Sequence, residues 1–187
     1  MVRRTLLLMF IFAFAFTFEN TLFADDPPGF KYVGTKTCGM CHKKDNEGNQ
    51  LKVWEGSKHS QAYKSLLTEE ANKIAKEKGV GDKAVEAEAC LKCHTTGYNL
   101  DASMLDKKFS IEDGVQCETC HGPGEKYKSM KIMKDHASAI ENGLTDFSSK
   151  EKIEAHCKKC HNEESPTFKE FKFDEMWAKI KHNIPEK

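Results

Sequence analysis

The eight cysteines of this 187-residue chain form four pairs, and two residues separate the members of each pair. A histidine follows the second cysteine of every pair, so that each segment reads C-x-x-C-H. The residues concerned are Cys38, Cys41 and His42; Cys90, Cys93 and His94; Cys117, Cys120 and His121; and Cys157, Cys160 and His161. No cysteine lies outside these segments, so a single kind of site, present four times, accounts for all of them.

Two thiols followed by an imidazole are the groups that covalent haem attachment requires. The thiols, one helical turn apart, add to the two vinyl groups on one edge of the porphyrin, and C-x-x-C-H is the attachment signature of haem c. The next residue then lies beneath the iron, where its imidazole is the proximal ligand. The pattern therefore predicts four covalently bound haem c groups. The expected proximal ligands are His42, His94, His121 and His161.

Three other kinds of cysteine site fit parts of this pattern. A disulfide scaffold suits an exported chain with an even number of cysteines, but it gives no reason for the histidine after each pair. Zinc sites built from paired C-x-x-C segments do not need that histidine either. A thioredoxin-like redox motif belongs in a βαβ setting, and the sequence has no β-alternation of useful length.

Composition indicates that the haems form the centre of the fold. The formal net charge is zero, which gives no support for a polyanionic partner such as nucleic acid. Residues 25–187 are polar and lysine-rich, and such a chain buries too little apolar surface to offset the entropy of ordering. Four large macrocycles supply the missing core. We therefore expect one all-α domain over 25–187, mainly helical with little strand, wrapped around four haems.

The N-terminus differs from the rest of the chain. Arg3 and Arg4 precede an apolar run over 6–16, and the small residue Ala24 is followed by acidic residues. This order is typical of a secretory signal peptide, so we expect residues 1–24 to be removed and the protein to be periplasmic or secreted. The alternative is an uncleaved anchor, which would be the only membrane contact, but the run is shorter than the roughly 20 residues of a membrane span.

Apolar periodicity and capping residues predict helices between the motifs. The predicted segments are Lys52–Leu67; a helix that Thr68 caps and Gly79 ends; Val85–Cys93; Glu125–Asn142, stopped by Gly143; a helix begun by a capping box from Ser148 to Glu151; and Asp174–His182. Residues 25–36 and 95–113 are expected to be mostly loop, with a turn at 122–124. The motifs recur at unequal spacings, which argues against a solenoid of equal units.

The four remaining histidines are candidates for the second axial position on the irons. His59 follows the first motif, His136 follows the third, and His182 lies beyond all four, so we expect these three to be distal ligands. His156 directly precedes Cys157, which tethers it too near the attachment edge of its own haem to reach an iron. Three distal ligands for four irons predict three bis-histidine haems and one five-coordinate haem, and the count does not say which.

Longer signatures surround the motifs. They are W-x-x-S-x-H at Trp54, Ser57 and His59; C-L-K-C-H-T-T-G-Y at the second motif; G-V-Q-C-E-T-C-H-G-P-G at the third; and C-H-N-x-x-S-P-T-F at the fourth. Together they resemble the cytochrome c-554 family, tetrahaem cytochromes best known from nitrifiers as electron acceptors for hydroxylamine oxidoreductase. The resemblance covers most of residues 34–182, in islands around the motifs.

This resemblance implies a mostly helical fold in which the haems are stacked in close pairs. It implies that His59, His136 and His182 are the distal ligands. It also implies that the second haem, carried by His94, lacks a distal ligand, which agrees with the count of histidines.

Electron transfer is the function that these features favour. Stacked haems pass electrons between exposed edges, while the protein supplies position and partner docking. We favour a carrier over an enzyme, with a multihaem oxidoreductase or a membrane quinol-linked cytochrome as partner, in nitrogen-oxide or hydroxylamine-linked respiration. The lysine-rich segment Lys126–Lys134 either steers an acidic partner or is a solvated helix face.

Two alternative functions stay open at this point. A five-coordinate haem can bind NO, so one alternative is a small NO reductase, with Thr95, Thr96 and Tyr98 as sequence neighbours of the open iron. The other is an electron-relay module of a larger multihaem assembly. In that case a histidine that lacks an iron in its own chain would ligate the iron of a neighbouring chain.

Overall fold

The structure, a computed structural model, describes residues 29–182 as short helices joined by loops. The helices are α1 Thr35–His42, α2 Gln50–Glu55, α3 Ala62–Ser65, α4 Glu69–Glu77, α5 Glu88–His94, α6 Cys117–His121, α7 Met130–Met133, α8 His136–Glu141, α9 Lys150–Cys157 and α10 Phe173–Ile180. Across residues 29–182 there is no β-strand, and an isolated bridge pairs Tyr32 with Leu105. The predicted all-α, mainly helical class is confirmed.

Where the structure describes them, the segments expected to be loop are mostly loop. Short 3₁₀ turns at Ala102–Met104 and Ile111–Asp113 interrupt the stretch 95–113, and the last two residues of 25–36 belong to α1. The predicted signal peptide over 1–24 lies outside the described residues. Among the helices that are described, none has the length and apolar character needed to cross a membrane.

The haem-attachment motifs lie at the carboxyl ends of short helices. Helices α1, α5 and α6 each end at the histidine of their motif, whereas α9 ends at Cys157 and the fourth motif continues as a turn to His161. A helical turn brings residues three apart onto one face. Each motif therefore presents its two thiols side by side, as the attachment chemistry requires.

The start of α4 agrees with the sequence prediction. The Thr68 hydroxyl accepts a hydrogen bond from the Ala71 backbone N–H at 3.1 Å, and Gly79 follows the helix with a φ of +66°. A threonine cap satisfies one of the free N–H groups of the first turn, and glycine adopts the left-handed conformation at low cost. Both signals are local, which is why they can be read from the sequence.

The long helix predicted over 125–142 was wrong. The chain turns through 124–129, forms α7 and then breaks before α8 begins at His136. Asp135 causes the break, because its carboxylate accepts a hydrogen bond from the Ser138 N–H at 3.0 Å. Aspartate competes with helical backbone bonds in a helix interior and is favoured at a cap. His136 therefore lies at the first position of a helix rather than in the middle of one.

The helix predicted over 52–67 is also divided. Helix α2 ends at Glu55, a 3₁₀ turn spans His59–Gln61, and α3 follows. Serine side chains compete for the carbonyls at the break: Ser57 donates to the Trp54 carbonyl at 2.7 Å, and Ser60 donates to the Glu55 carbonyl at 3.0 Å. Such local side-chain bonds end helices. The break places His59 in a 3₁₀ turn, which sets the direction of its side chain.

Smaller corrections concern three other helix starts and ends. The helix predicted over 85–93 is a 3₁₀ turn at Ala84–Glu86 followed by α5, and α10 spans Phe173–Ile180 rather than 174–182. The capping box predicted from Ser148 is displaced by one residue. Asp146 draws the Ser148 N–H into a turn at 2.9 Å, so Ser149 becomes the cap and accepts from the Lys152 N–H at 3.3 Å.

A small aliphatic core lies beside the second motif. Its buried members are Leu66, Ala75, Ala84, Ala87 and Cys90. The most deeply buried large side chains elsewhere include polar ones, Gln116, Glu118 and Thr96. The protein alone therefore supplies little apolar interior, in agreement with the expectation that the haems complete it.

Candidate haem sites

Two pairs of histidine rings face one another across the fold. The ring centres of His59 and His161 are 6.1 Å apart with the ring planes inclined at 54°. Those of His121 and His182 are 5.7 Å apart with the planes inclined at 34°. In each pair one histidine closes a C-x-x-C-H motif and the other is a predicted distal ligand.

These separations fit an iron held between two imidazoles. A histidine nitrogen lies about 2 Å from a bound metal, and the ring centre lies about 1 Å behind that nitrogen, so two ligands across one metal place their ring centres roughly 6 Å apart. Burial lowers the pKa of His121 to about 4. Burial, and then the charge of His161, lowers the pKa of His59. The neutral ring is the form that binds a metal.

The histidines of the first and second motifs are each held through Nδ1. His94 Nδ1 lies 2.9 Å from the Ala62 carbonyl oxygen and 3.2 Å from the Ser65 hydroxyl. His42 Nδ1 lies 3.1 Å from Gln50 Oε1. Partners of this kind fix the orientation of a ligating ring and leave Nε2 for the metal. Neither ring pairs with another histidine within residues 29–182.

An aromatic side chain orients the fourth motif histidine. The ring of Phe171 stacks on that of His161, with the centres 4.7 Å apart and the planes within 17° of parallel. Phe173 follows at 6.4 Å from Phe171, and Trp177 is parallel to Phe173. The sequence did not indicate this contact. Phe171 lies just before α10 and Phe173 is the first residue of that helix, and no motif marks them.

The remaining two histidines are placed differently. His136 is exposed, and in the described part of the chain no ring contact joins it to a motif histidine. His156 Nε2 donates to the Thr119 carbonyl at 2.9 Å, and its ring packs against Phe147 at 5.2 Å. Its Nε2 is thus engaged with backbone, and its exclusion as a ligand stays a prediction.

The motif cysteines come together in two cross-motif pairs, and none forms a disulfide. A hydrogen bond between the thiols raises the pKa of Cys38 and lowers that of Cys117. A second such bond lowers the pKa of Cys93 to about 7 and raises that of Cys160. The attachment edges of the first and third motifs are therefore adjacent, and so are those of the second and fourth.

The segment 114–119 joins the motifs to one another. Gln116 Oε1 accepts from the Thr35 N–H at 3.0 Å and from its hydroxyl at 3.1 Å, which links the third motif to α1. The Gln116 N–H donates to the Thr96 hydroxyl at 2.7 Å, and that hydroxyl also bonds to Thr119. This network, which the sequence did not predict, holds three motifs through buried polar bonds.

The same segment explains the W-x-x-S-x-H signature. Trp54 Nε1 donates to the Val115 carbonyl at 2.7 Å, and the Val115 N–H donates to the His59 carbonyl at 3.1 Å. The tryptophan therefore fastens α2 to the third motif, and the adjacent backbone bond places His59.

Known proteins support this interpretation of the motifs. The family model described as cytochrome c554 and c-prime matches residues 37–122, which include the first three motifs. Over these residues the chain is similar to the cytochrome c-554 family. Cytochrome c-554 of Nitrosomonas europaea is 28% identical over an alignment of 196 positions, gaps included, which covers 90% of this chain and 79% of the relative. The solved reduced state of cytochrome c554 from Nitrosomonas europaea has a TM-score of 0.53 at 23% identity and covers 79% of this chain and 81% of that chain.

The four C-x-x-C-H motifs, together with the similarity to cytochrome c-554, identify the cofactors. The chain is a c-type cytochrome with four covalently bound haem c groups, and its general function is to carry electrons. The spacing of the two histidine pairs shows that the residues present fit this group. Haem c supplies the redox chemistry, and the chain supplies ligands, position and shielding.

A cavity of about 460 Å³ lies beside the second motif. Ala89, the residue before Cys90, lines one side, and Pro166 and Phe168 of the S-P-T-F segment line another. The cavity therefore lies between Ala89, next to the second motif, and the segment that follows the fourth motif.

Proposed function

We propose that this chain is an exported electron carrier with three bis-histidine haems and one haem whose iron has an open axial position. The observation that carries the proposal is the spacing of the two histidine pairs, 6.1 Å for His59 and His161 and 5.7 Å for His121 and His182. In the proposed assignment each haem is attached through the two cysteines of its own motif. The fourth and third haems are then the two that these pairs close.

One predicted distal histidine, His136, and two irons, those on His42 and His94, then remain, and position decides between the two irons. His42 acts electrostatically on both His121 and His182, so it lies near the third motif. Helix α8, which begins at His136, leads through Gly143 to Thr145, whose N–H donates to the His121 carbonyl at 3.0 Å. His136 and His42 therefore belong to the same part of the molecule, and we assign His136 to the first iron. The second iron, on His94, is the open one.

The thiol contacts support an order for the relay. The closeness of Cys38 to Cys117 favours a stacked first and third haem, and the closeness of Cys93 to Cys160 favours a stacked second and fourth. The charge of Cys157 also raises the pKa of Cys120, so the third and fourth attachment edges are near each other. Electrons would thus pass from first to third to fourth to second haem.

The finer biological setting rests on the family resemblance. We propose a periplasmic protein, with residues 1–24 as a cleavable signal and 25–187 as one tetrahaem domain. Its partners would be a multihaem oxidoreductase or a membrane quinol-linked cytochrome, in nitrogen-oxide or hydroxylamine-linked respiration. Stopped-flow mixing with such an oxidoreductase should reduce all four haems, and failure to accept electrons from either partner class would contradict this setting.

The cavity beside the second motif favours one second candidate, a small NO reductase. The cavity would offer a small ligand a space near this motif, because Ala89, which lines it, directly precedes Cys90. The hydroxyls of the two threonines that follow His94 are engaged, however: Thr95 donates to the Leu91 carbonyl at 2.8 Å, and Thr96 belongs to the buried network. Steady-state NO consumption by the reduced protein would support this candidate, whereas NO binding without turnover would favour the electron carrier.

An electron-relay module is the third candidate, and the exposure of His136 is the feature that favours it. In that case His136 would ligate an iron of a neighbouring chain. Low-temperature EPR of the monomeric oxidised protein tests the proposal against it. We expect one high-spin haem in four. Two high-spin haems in the monomer that become low-spin on assembly would indicate the module.

A further inference from the structure

Glu118, between the two cysteines of the third motif, is a buried carboxylate held by backbone. Only 1% of the residue is exposed. The Val33 N–H donates to its two oxygens at 2.8 and 3.0 Å, the Gly34 N–H donates at 2.8 Å, and the Gly124 N–H donates at 2.7 Å. These bonds join the third motif to the residues immediately before α1 and to the turn after α6.

The chemistry of these partners requires the charged form of Glu118. Every group within hydrogen-bond distance of its oxygens is an N–H donor, and a protonated carboxyl would need an acceptor for its own proton. Burial raises the pKa of Glu118, and the three backbone donors and the charge of Lys128 lower it. The other titratable groups that face it are Tyr127, whose hydroxyl donates to the Gly122 carbonyl at 2.8 Å, and the thiols of the first and third motifs.

Two glycines shape the cradle around this carboxylate. Gly34 has a φ of +81°, and a Cβ there would lie 2.8 Å from the Phe109 Cα. A Cβ on Gly124 would lie 3.1 Å from Glu118 Oε1 and 3.0 Å from a Val33 methyl. The cradle therefore admits backbone N–H groups and no side chain, as a site built for one carboxylate requires.

The carboxylate also lies at the junction of two attachment sites. Its charge contributes to the raised pKa of Cys38, after the hydrogen bond with Cys117, burial and the charge of Cys117. For Cys117, whose pKa is lowered chiefly by the bond from Cys38, the charge of Glu118 acts in the opposite direction. In the holoprotein these sulfurs are the thioether links to the first and third haems.

We propose that Glu118 is a positioning residue for electron transfer, which holds the first haem against the third and keeps both at low reduction potential. The inference rests on the proposed assignment of haems to motifs. Reduction adds one electron to an iron and no proton to Glu118. A fixed negative charge in a medium of low dielectric opposes that electron, so the charge favours the ferric form of both haems.

The test compares E118Q with E125Q in the full-length holoprotein. Glu125 accepts a hydrogen bond from the Lys31 N–H at 3.2 Å, on the same N-terminal segment, but it is only half-buried. In an EPR-monitored redox titration, we expect E118Q to shift two of the four haems to more positive potential and E125Q to shift none. Four unchanged potentials in E118Q, or an equal shift of all four, would overturn the proposal.

A second variant and a mapping experiment keep the proposal testable if E118Q does not incorporate its haems. E118D retains the charge but is one methylene shorter, so we expect altered EPR signals for the same two haems and unchanged signals for the others. If neither variant matures, mass spectrometry of haem peptides decides. Missing haem at the first and third motifs alone supports the proposal, and loss at the second or fourth overturns it.

The two proposals fail separately. Wild-type protein with fewer than four haems, or with no redox activity, would contradict the proposed function. Wild-type protein that carries four redox-active haems, with an E118Q variant of unchanged potentials, would contradict the role of Glu118 alone.

Discussion

His59 and His161 lie on opposite sides of a space that one metal ion would span, with their ring centres 6.1 Å apart. Replacement of His59 by alanine should therefore leave the fourth iron without its distal ligand. We expect EPR of the oxidised H59A protein to show one more high-spin haem than the wild type. H156A is the matched control, because His156 Nε2 donates to the Thr119 carbonyl. Equal high-spin content in H59A and wild type would contradict the pairing.

The iron proposed to be open, on His94, should bind small ligands that the three six-coordinate irons do not bind. Titration of the reduced protein with CO or NO should saturate at one haem in four, because in the proposed assignment only the haem on His94 has an open position. The H136A protein should saturate at two, because the first iron then loses its ligand. Saturation at one haem in both proteins would instead favour a role for His136 in another chain.

Acid should weaken the fold through His121. Its pKa in the folded protein is lowered to about 4 by burial, and the unfolded value is about 6.5. Between these values the unfolded state binds more protons, so stability is lost as pH falls from 6.5 towards 4, by at most about 1.4 kcal/mol per pH unit. Ligation of iron acts in the same direction because it also requires the neutral ring.

Denaturant titrations followed by the low-spin haem absorbance measure this pH effect. The midpoint should be constant above pH 7 and should fall between pH 6.5 and 4. A midpoint that stays constant over the lower range would contradict the proposed environment of His121.

Loss of the Trp54 hydrogen bond should destabilise the protein without removing a ligand. W54F keeps an aromatic ring in α2 but loses the 2.7 Å bond from Nε1 to the Val115 carbonyl. An unsatisfied buried partner costs about 1–3 kcal/mol. Denaturant titration should show a loss of this size in W54F and a smaller one in W177F, which keeps a ring parallel to Phe173. Unchanged stability in W54F would show that the bond contributes little.

Local chemistry made the helical class, the cofactors and some boundaries predictable. C-x-x-C-H carries the whole attachment site in five consecutive residues, so four haems follow from four motifs. Thr68 and Gly79 mark the limits of α4 because a cap needs only neighbouring residues. The break at Asp135 was missed because apolar periodicity alone does not show whether an aspartate caps a helix or lies within one.

The distal ligands show where local information ends. The count of histidines indicated three bis-histidine haems and one open haem. It did not say which distal histidine serves which motif, because each ligand pair joins residues far apart in the chain. The network of Gln116 and Thr96 escaped prediction for the same reason: its partners come from the first, second and third motif segments.

The sequence by itself thus determined the helical fold class and the number and chemistry of the cofactors, because thiols and imidazoles at fixed spacing act within one helical turn. Only the tertiary structure decided which side chains face each other: His59 with His161, His121 with His182, and Glu118 with the backbone before α1. The physical reason is that these contacts depend on how short helices pack together, and no local propensity specifies that packing.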